Sequence, residues 1–155
     1  MVKKFIVLTL FAASILIQVP GAFADDDSLT AKKRALCKEG NSSACFQMGE
    51  RYRIIERDQK TALKFYVRAC EGDYMTACTN GGILLIMKGT PYSKEFKQAR
   101  KMFNKACDAG EDPSCFNMGS LNFKEGRQKK SLQYFLKACD MGNQMGCAKH
   151  KRLSR

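Results

Sequence analysis

The feature that most constrains this chain is a cysteine phrase written four times. Two cysteines eight positions apart recur at 37/45, 70/78, 107/115 and 139/147, with 33, 37 and 32 residues between successive copies. Intervals of this size belong to repeats built from a pair of helices, none of which can bury its apolar face alone. Other positions keep phase with the first cysteine of each pair. An aromatic stands four before it (Tyr66, Phe103, Phe135), a small residue eight before it (Ala62, Ala99, Ser131) and alanine directly before it (Ala69, Ala106, Ala138). A glycine stands four after the second cysteine (Gly49, Gly82, Gly119). Positions −8, −4 and 0 share one face of an α-helix.

The phrase therefore reads as helix, tight turn, helix. Gly72, Gly110 and Gly142 suit a left-handed helix end, and Asn41, Ser42 or Asp112 suit the cap of the helix that follows. First helices are predicted near 29–39, 59–71, 95–109 and 128–141, and second helices near 43–54, 75–88, 113–124 and 144–152. Gly89 to Ser93 is the longest connection between hairpins. The run "GGILLIM" (Gly81 to Met87) has the composition of a strand, but its phase in the repeat makes it helical. The fold class is all-α, an α/α superhelical solenoid of four hairpins at about 29–55, 59–90, 95–126 and 128–152.

A residue in the last turn of one helix faces the first turns of the next, so a seven-residue gap brings the two cysteines into bridging range. The expected disulfides are Cys37–Cys45, Cys70–Cys78, Cys107–Cys115 and Cys139–Cys147. Closing each short loop contributes roughly 2–3 kcal/mol on the chain-entropy estimate. Zinc and thioredoxin-like redox centres are disfavoured, because the chain has no C-x-x-C and a single histidine, His150. No metal or cofactor is expected.

The N-terminus reads as an export leader. Lys3 and Lys4 precede an uncharged apolar run, Phe5 to Ile17, too short to span a bilayer, and Ala22 and Ala24 suit a signal peptidase. Removal of residues 1–24 leaves one domain, 25–155, and lowers the formal charge from +12 to +10. An even set of cysteines in an exported chain favours disulfides. The expected location is the periplasm of a bacterium or the medium outside it, with no membrane anchor after cleavage. The basic balance, spread along the chain, permits attraction to anionic surfaces, cell-wall polymers or acidic proteins. Nucleic acid is not an expected partner of an exported protein.

Ala-Cys, a glycine-containing turn, Cys-x-x-x-Gly and an upstream Ala-x-x-x-aromatic together resemble Sel1-like repeats. They resemble in particular the disulfide-stapled branch known as Helicobacter cysteine-rich proteins. The stretch from Gln98 to Phe123 is the clearest copy, that from Thr61 to Gly82 the next, and the likeness covers about residues 30 to 150. It implies a superhelix related to tetratricopeptide arrays with each disulfide inside one repeat. It also implies, as an alternative to a binding role, penicillin binding with slow β-lactamase activity. The first unit departs in having Lys33 and Leu36 at the aromatic and alanine positions, and the last has Lys151 at the glycine position. Atypical units of this sort are expected at the ends of an array.

The residues give catalysis little support. No serine has lysine three positions on, the pairing that activates a β-lactamase nucleophile; only Thr30 with Lys33 approaches it, and Lys88-Gly89-Thr90 merely permutes K-T-G. The preferred reading is a monomeric binding module for an envelope or extracellular protein, a peptide or a peptidoglycan fragment. Its groove is expected along the first helices, at positions −7, −3 and −2. These are Leu63, Val67 and Arg68; Arg100, Asn104 and Lys105; and Leu132, Leu136 and Lys137. The base at −2 reads first as a solvated cation favoured by its own helix dipole and only second as a ligand contact, and Tyr66, Phe103 and Phe135 read as core.

Overall fold

The computed structural model describes residues 24–155, so the expected leader lies outside it apart from Ala24. The described residues form eight helices and no strand: α1 (Ala24–Lys38), α2 (Ser42–Ile54), α3 (Gln59–Glu71), α4 (Met75–Lys88), α5 (Lys94–Asp108), α6 (Asp112–Lys124), α7 (Gln128–Asp140) and α8 (Gln144–Leu153). Each helix packs on the next in chain order. The fold is the all-helical solenoid that the repeat predicts, and "GGILLIM" lies within α4. None of the described helices is long and apolar enough to cross a membrane.

Helix ends follow local chemistry. Asn41 caps α2, its side-chain oxygen accepting from the Ala44 N–H at 2.8 Å. Asp58 and Ser93 cap α3 and α5 in the same way. Asp112 is not a cap: it opens α6 ahead of Pro113, whose missing N–H is no loss in a first turn. The Asp112 carboxylate instead accepts from the Asn143 side chain at 2.7 Å, while Asn143 caps α8. Helix α1 begins five residues before the predicted start.

The turn after each first cysteine needs one left-handed residue, always three positions on. Gly40, Gly110 and Gly142 supply it with φ of 96°, 98° and 93°. In the second hairpin the expectation for Gly72 is corrected: its φ is −86°, and Asp73, with φ 62°, takes the left-handed position. The phrase there reads CEGD where the third copy reads CDAG, which shifts the glycine by one. Aspartate is among the few residues that tolerate this region. Gly72 is small for another reason. A Cβ there would sit 2.9 Å from the Ser42 Cβ of the preceding hairpin.

The joints between hairpins explain the remaining repeated positions. Tyr66, Phe103 and Phe135 are buried against the second helix of the preceding hairpin. A Cβ on Gly49 would lie 2.6 Å from the Tyr66 ring, one on Gly82 2.5 Å from the Phe103 ring, and one on Gly119 2.6 Å from the Phe135 ring. Each joint is thus a ring seated where a side chain has been omitted. Ala62, Ala99 and Ser131, one turn earlier, are fully buried and let the backbones approach. Ser131 satisfies its hydroxyl by donating to the Gly119 carbonyl at 2.8 Å. Lys33 and Lys151 occupy the ring and glycine positions of the first and last hairpins, where no such joint is made.

A polar cluster closes the first joint. The Glu50 carboxylate accepts from the Tyr66 hydroxyl, from Arg53 at 2.6 Å and from the Asn80 amide at 2.9 Å. Burial pushes the Glu50 carboxyl up, but the hydrogen bonds from Arg53, Tyr66 and Asn80 outweigh it and hold it below the usual carboxylate range. Burial, then the bond to Glu50, pushes the Tyr66 phenol well up, so it stays a neutral donor. The cluster spans α2, α3 and α4 with its bonding capacity used internally.

Candidate functional site

All eight cysteines are consumed in bridges within the four hairpin turns. Cys37 joins Cys45, Cys70 joins Cys78, Cys107 joins Cys115 and Cys139 joins Cys147, with Cα atoms 4.6, 4.7, 4.7 and 4.5 Å apart. That separation is within the range a disulfide needs. Four bridges and no free thiol are consistent with an oxidising compartment outside the cytoplasm. Among the described residues no three His, Cys, Asp or Glu side chains gather so as to hold a metal ion.

With the cysteines committed to structure, one surface suited to binding is an open groove crossing α3, α5 and α7, the largest of whose clefts exceeds those at Lys33–Ile55 and at Arg53–Met87. Three clefts share walls to make it. The first runs from Val67 and Glu71 to Gln98 and Lys101; the largest, about 510 Å³, lies between Arg100, Lys101, Asn104, Arg127 and Lys130; the third continues to Gln133 and Lys137. Lys101 and Lys105 belong to both of the first two, and Lys130 and Tyr134 to both of the last two.

The predicted positions fall in different places. Arg100, Asn104, Lys105, Lys137 and Val67 line the groove. Leu63 is half-buried and packs on the hydrophobic core from between two of its clusters. Arg68 is exposed and lines none of the three clefts. Leu132 is half-buried and Leu136 exposed, both outside the groove. Gln98, Lys101, Lys130, Gln133 and Tyr134, at none of the predicted positions, also line it. Position on the helix separates the two groups only in part, since Arg100 at −7 and Val67 and Asn104 at −3 line the groove while Arg68 at −2 does not. At about 100° per residue, position −7 is roughly 60° from the middle of the buried stripe, whereas −2, −6 and −9 lie roughly 140–160° away. The far-side stripe was legible as Gln98, Lys101 and Lys105 on one helix and Lys130, Gln133 and Lys137 on the other.

The groove cations divide by whether the fold already uses them. Lys105 Nζ donates to the Cys70 carbonyl at 2.6 Å and pairs with Asp73 at 2.8 Å, so it closes the C-terminal end of the preceding first helix. Lys137 Nζ pairs with Asp108 at 3.1 Å in the same relation one unit on. The dipole favouring the base at −2 is therefore that of the neighbouring unit as well as its own. Arg100 and Arg127 share the buried carboxylate of Glu125, and Tyr92 donates its hydroxyl to the Glu125 carbonyl. Lys101 and Lys130 are exposed and have no ion-pair partner among the described residues. Tyr134, half-buried beside Lys130, donates to the Asn104 side chain at 3.3 Å.

Buried hydroxyls are occupied structurally. Ser114 and Thr79 bond to one another at 2.7 Å across the second joint. Lysine and arginine are spread along the chain, but the acidic residues are sparser in its second half. Residues 94–155 hold 14 Lys and Arg against 6 Asp and Glu, a net of +8.

Three stretches of the chain, residues 42–74, 77–111 and 113–143, match the model of the Sel1 repeat. These units begin at the second helix of each hairpin, so in that phase the disulfides fall at the junctions between units rather than inside them. Cytochrome c oxidase assembly factor 7 of Xenopus tropicalis is 26% identical over 126 residues, covering 73% of this chain and 54% of that protein. Its Homo sapiens counterpart is 30% identical over 98 residues, covering 55% and 41%. The chain thus spans about half the length of these relatives. A Sel1 repeat protein from Oxalobacter formigenes superposes with a TM-score of 0.61 at 18% identity, covering 79% of this chain and 96% of that one. The protective antigen c5321 of uropathogenic Escherichia coli superposes with a TM-score of 0.60 at 24% identity, covering 70% and 25%. These two likenesses concern the fold.

Proposed function

The chain belongs to the Sel1 repeat family, and from that premise we propose that it is an exported module that binds another protein or a peptide along the groove of α3, α5 and α7. The observation that carries this reading is the continuity of that groove across three successive units, with side chains on its floor that the fold does not use. Stacked helix pairs are suited to holding an extended ligand across several units. The relatives from Xenopus tropicalis and Homo sapiens bear the name of assembly factors, and a role in holding partner proteins together accords with that name.

Export rests on the leader expected at 1–24 and on four bridges that need an oxidising compartment, so the reading places the protein in the periplasm or outside the cell. The regular pairing of cysteines supports assignment to the disulfide-stapled branch of the family. The alternative occupant we propose for the same groove is a peptidoglycan stem peptide, which would account without a catalytic residue for the penicillin binding that such a resemblance implies.

The test is affinity capture from envelope extract with the oxidised protein, followed by titration of the purified partner. One stoichiometric partner whose binding is lost on substituting groove residues supports the module. Nitrocefin turnover at ordinary enzyme rates, abolished by a single polar substitution, would replace it with an enzyme.

A further inference from the structure

We propose that the groove is built for an acidic peptide segment, with Lys101 and Lys130 as the two residues that recognise its carboxylates. This deepens the binding-module reading and rests on it. Six cations line the groove, but four of them, Arg100, Lys105, Arg127 and Lys137, are already paired with Glu125, Asp73 and Asp108. Those pairs hold the groove wall in shape and leave its charge partly neutralised. Lys101 on α5 and Lys130 on α7 remain, both opening into the same cleft and both free of ion pairs among the described residues. Two like charges facing one cleft without internal compensation repel each other until an anion lies between them.

The form of the anion follows from what surrounds them. Gln98 and Gln133 stand among the lysines along the groove and offer both donors and acceptors, as a peptide backbone requires, while Asn104 is bonded to Tyr134 and Asp108. Tyr134 lines both lysine-bearing clefts, its hydroxyl donating to the Asn104 side chain. Glu71, Asp73 and Asp108 stand on or beside the rim. Fixed carboxylates there disfavour a polyphosphate backbone with charge at every step, and accept a peptide whose carboxylates are spaced to miss them. An extended peptide of about ten residues reaches roughly 30 Å, long enough to lie along more than one of the clefts.

The probe is a fluorescein-labelled peptide of about ten residues alternating Asp and Ser, titrated with the oxidised protein by anisotropy at physiological salt. Its controls are the same peptide with Asn for Asp and a single-stranded DNA of equal length. The expected result is binding of the acidic peptide that weakens as salt rises, with the Asn peptide bound about tenfold or more weakly. Lys101→Glu with Lys130→Glu should lower the affinity about tenfold or more, while Lys149→Glu with Lys151→Glu, on α8 outside the groove, should change it less than about twofold. Circular dichroism and the unfolding midpoint check that both variants fold.

Equal binding of acidic and Asn peptides, tighter binding of the DNA, no binding of the acidic peptide, or an equal loss from the α8 pair each overturn the proposal. Self-association driven by the acidic N-terminal sequence Asp25-Asp26-Asp27 of another copy would do so too. The capture assay separates the two levels. A partner retained by the Lys101/Lys130 variant leaves the module standing and removes the acidic-segment assignment; no partner captured by the parent removes the module.

Discussion

Replacing Gly82 by alanine tests the joint directly, because two well-measured effects oppose each other there. In an ordinary helix the change gains up to about 1 kcal/mol, since glycine loses more backbone freedom on folding. Here the new Cβ would stand 2.5 Å from Phe103 Cε1 and 2.8 Å from both Cδ1 and Cζ. Non-bonded carbons settle at about 3.5–4.0 Å, so the overlap is on the order of 1 Å against three atoms of one ring. Phe103 is 0% exposed, and its ring has no vacant side to move toward. Overpacking of this kind costs about 1–3 kcal/mol, which exceeds the gain in helix propensity. The net expectation is a loss of about 1–2 kcal/mol, read as a lower urea midpoint of the oxidised protein by far-ultraviolet circular dichroism. Gly81→Ala is the control one residue away: its Cβ meets mainly the terminal methyl of Met102, the mobile end of a flexible side chain, and should cost much less. In a Phe103→Leu background the sign for Gly82→Ala should reverse. A Gly82→Ala protein as stable as its parent, or more so, refutes the seated-ring account of the joints.

Three further expectations follow from the same architecture. Glu50→Gln should cost about 1–2 kcal/mol at neutral pH by weakening bonds from Arg53 and the buried Tyr66 hydroxyl. Because the folded-state pKa of Glu50 lies below its ordinary value of 4.5, its contribution is present above that pH and is lost as pH falls through the folded value. The parent should therefore lose stability relative to the Gln variant as urea curves are taken from neutral into that acid range. Replacing Cys107 and Cys115 together by alanine should cost about 2–3 kcal/mol in the same assay, most of the loss coming from a less restricted unfolded chain. Asp73→Gly should raise stability by about 0.5 kcal/mol: it relieves a non-glycine residue at φ 62° and gives up only an exposed pair with Lys105.

Much of the fold could be read from phase alone. Cysteines, aromatics and small residues at fixed offsets marked one helical face, and period and turn chemistry placed most helix boundaries within a residue or two. What escaped was the partner of each marked position. The glycine four after each second cysteine was visible as a repeat, yet nothing local says that it receives a ring from the following hairpin. Gly72 was misassigned because a single shift in the CEGD turn moves the left-handed site onto Asp73, and side-chain tolerance there hides the shift. The groove was placed on the correct helices, and five of the nine residues named for it line it; what the pattern left unread was the stripe at −6 and −9, opposite the buried face. The division of cations into paired and unpaired depends on contacts some 30 residues apart in sequence, such as Lys105 with Asp73, which no window of sequence contains.

Where the bridges sit decides what a protease can do to this molecule. A cut inside any of the four stapled turns leaves both fragments tied by a sulfur–sulfur bond, so the chain remains one covalent piece. A cut in the connections that carry no staple, Ile55 to Asp58, Gly89 to Ser93 or Glu125 to Arg127, releases whole hairpins. Vulnerability is concentrated in every second connection. The Tyr92 anchor and the Arg100–Glu125–Arg127 cluster hold two of those connections by non-covalent means. Wherever proteases reach the protein, loosening either contact would expose the array to dismemberment that no amount of oxidised sulfur could prevent.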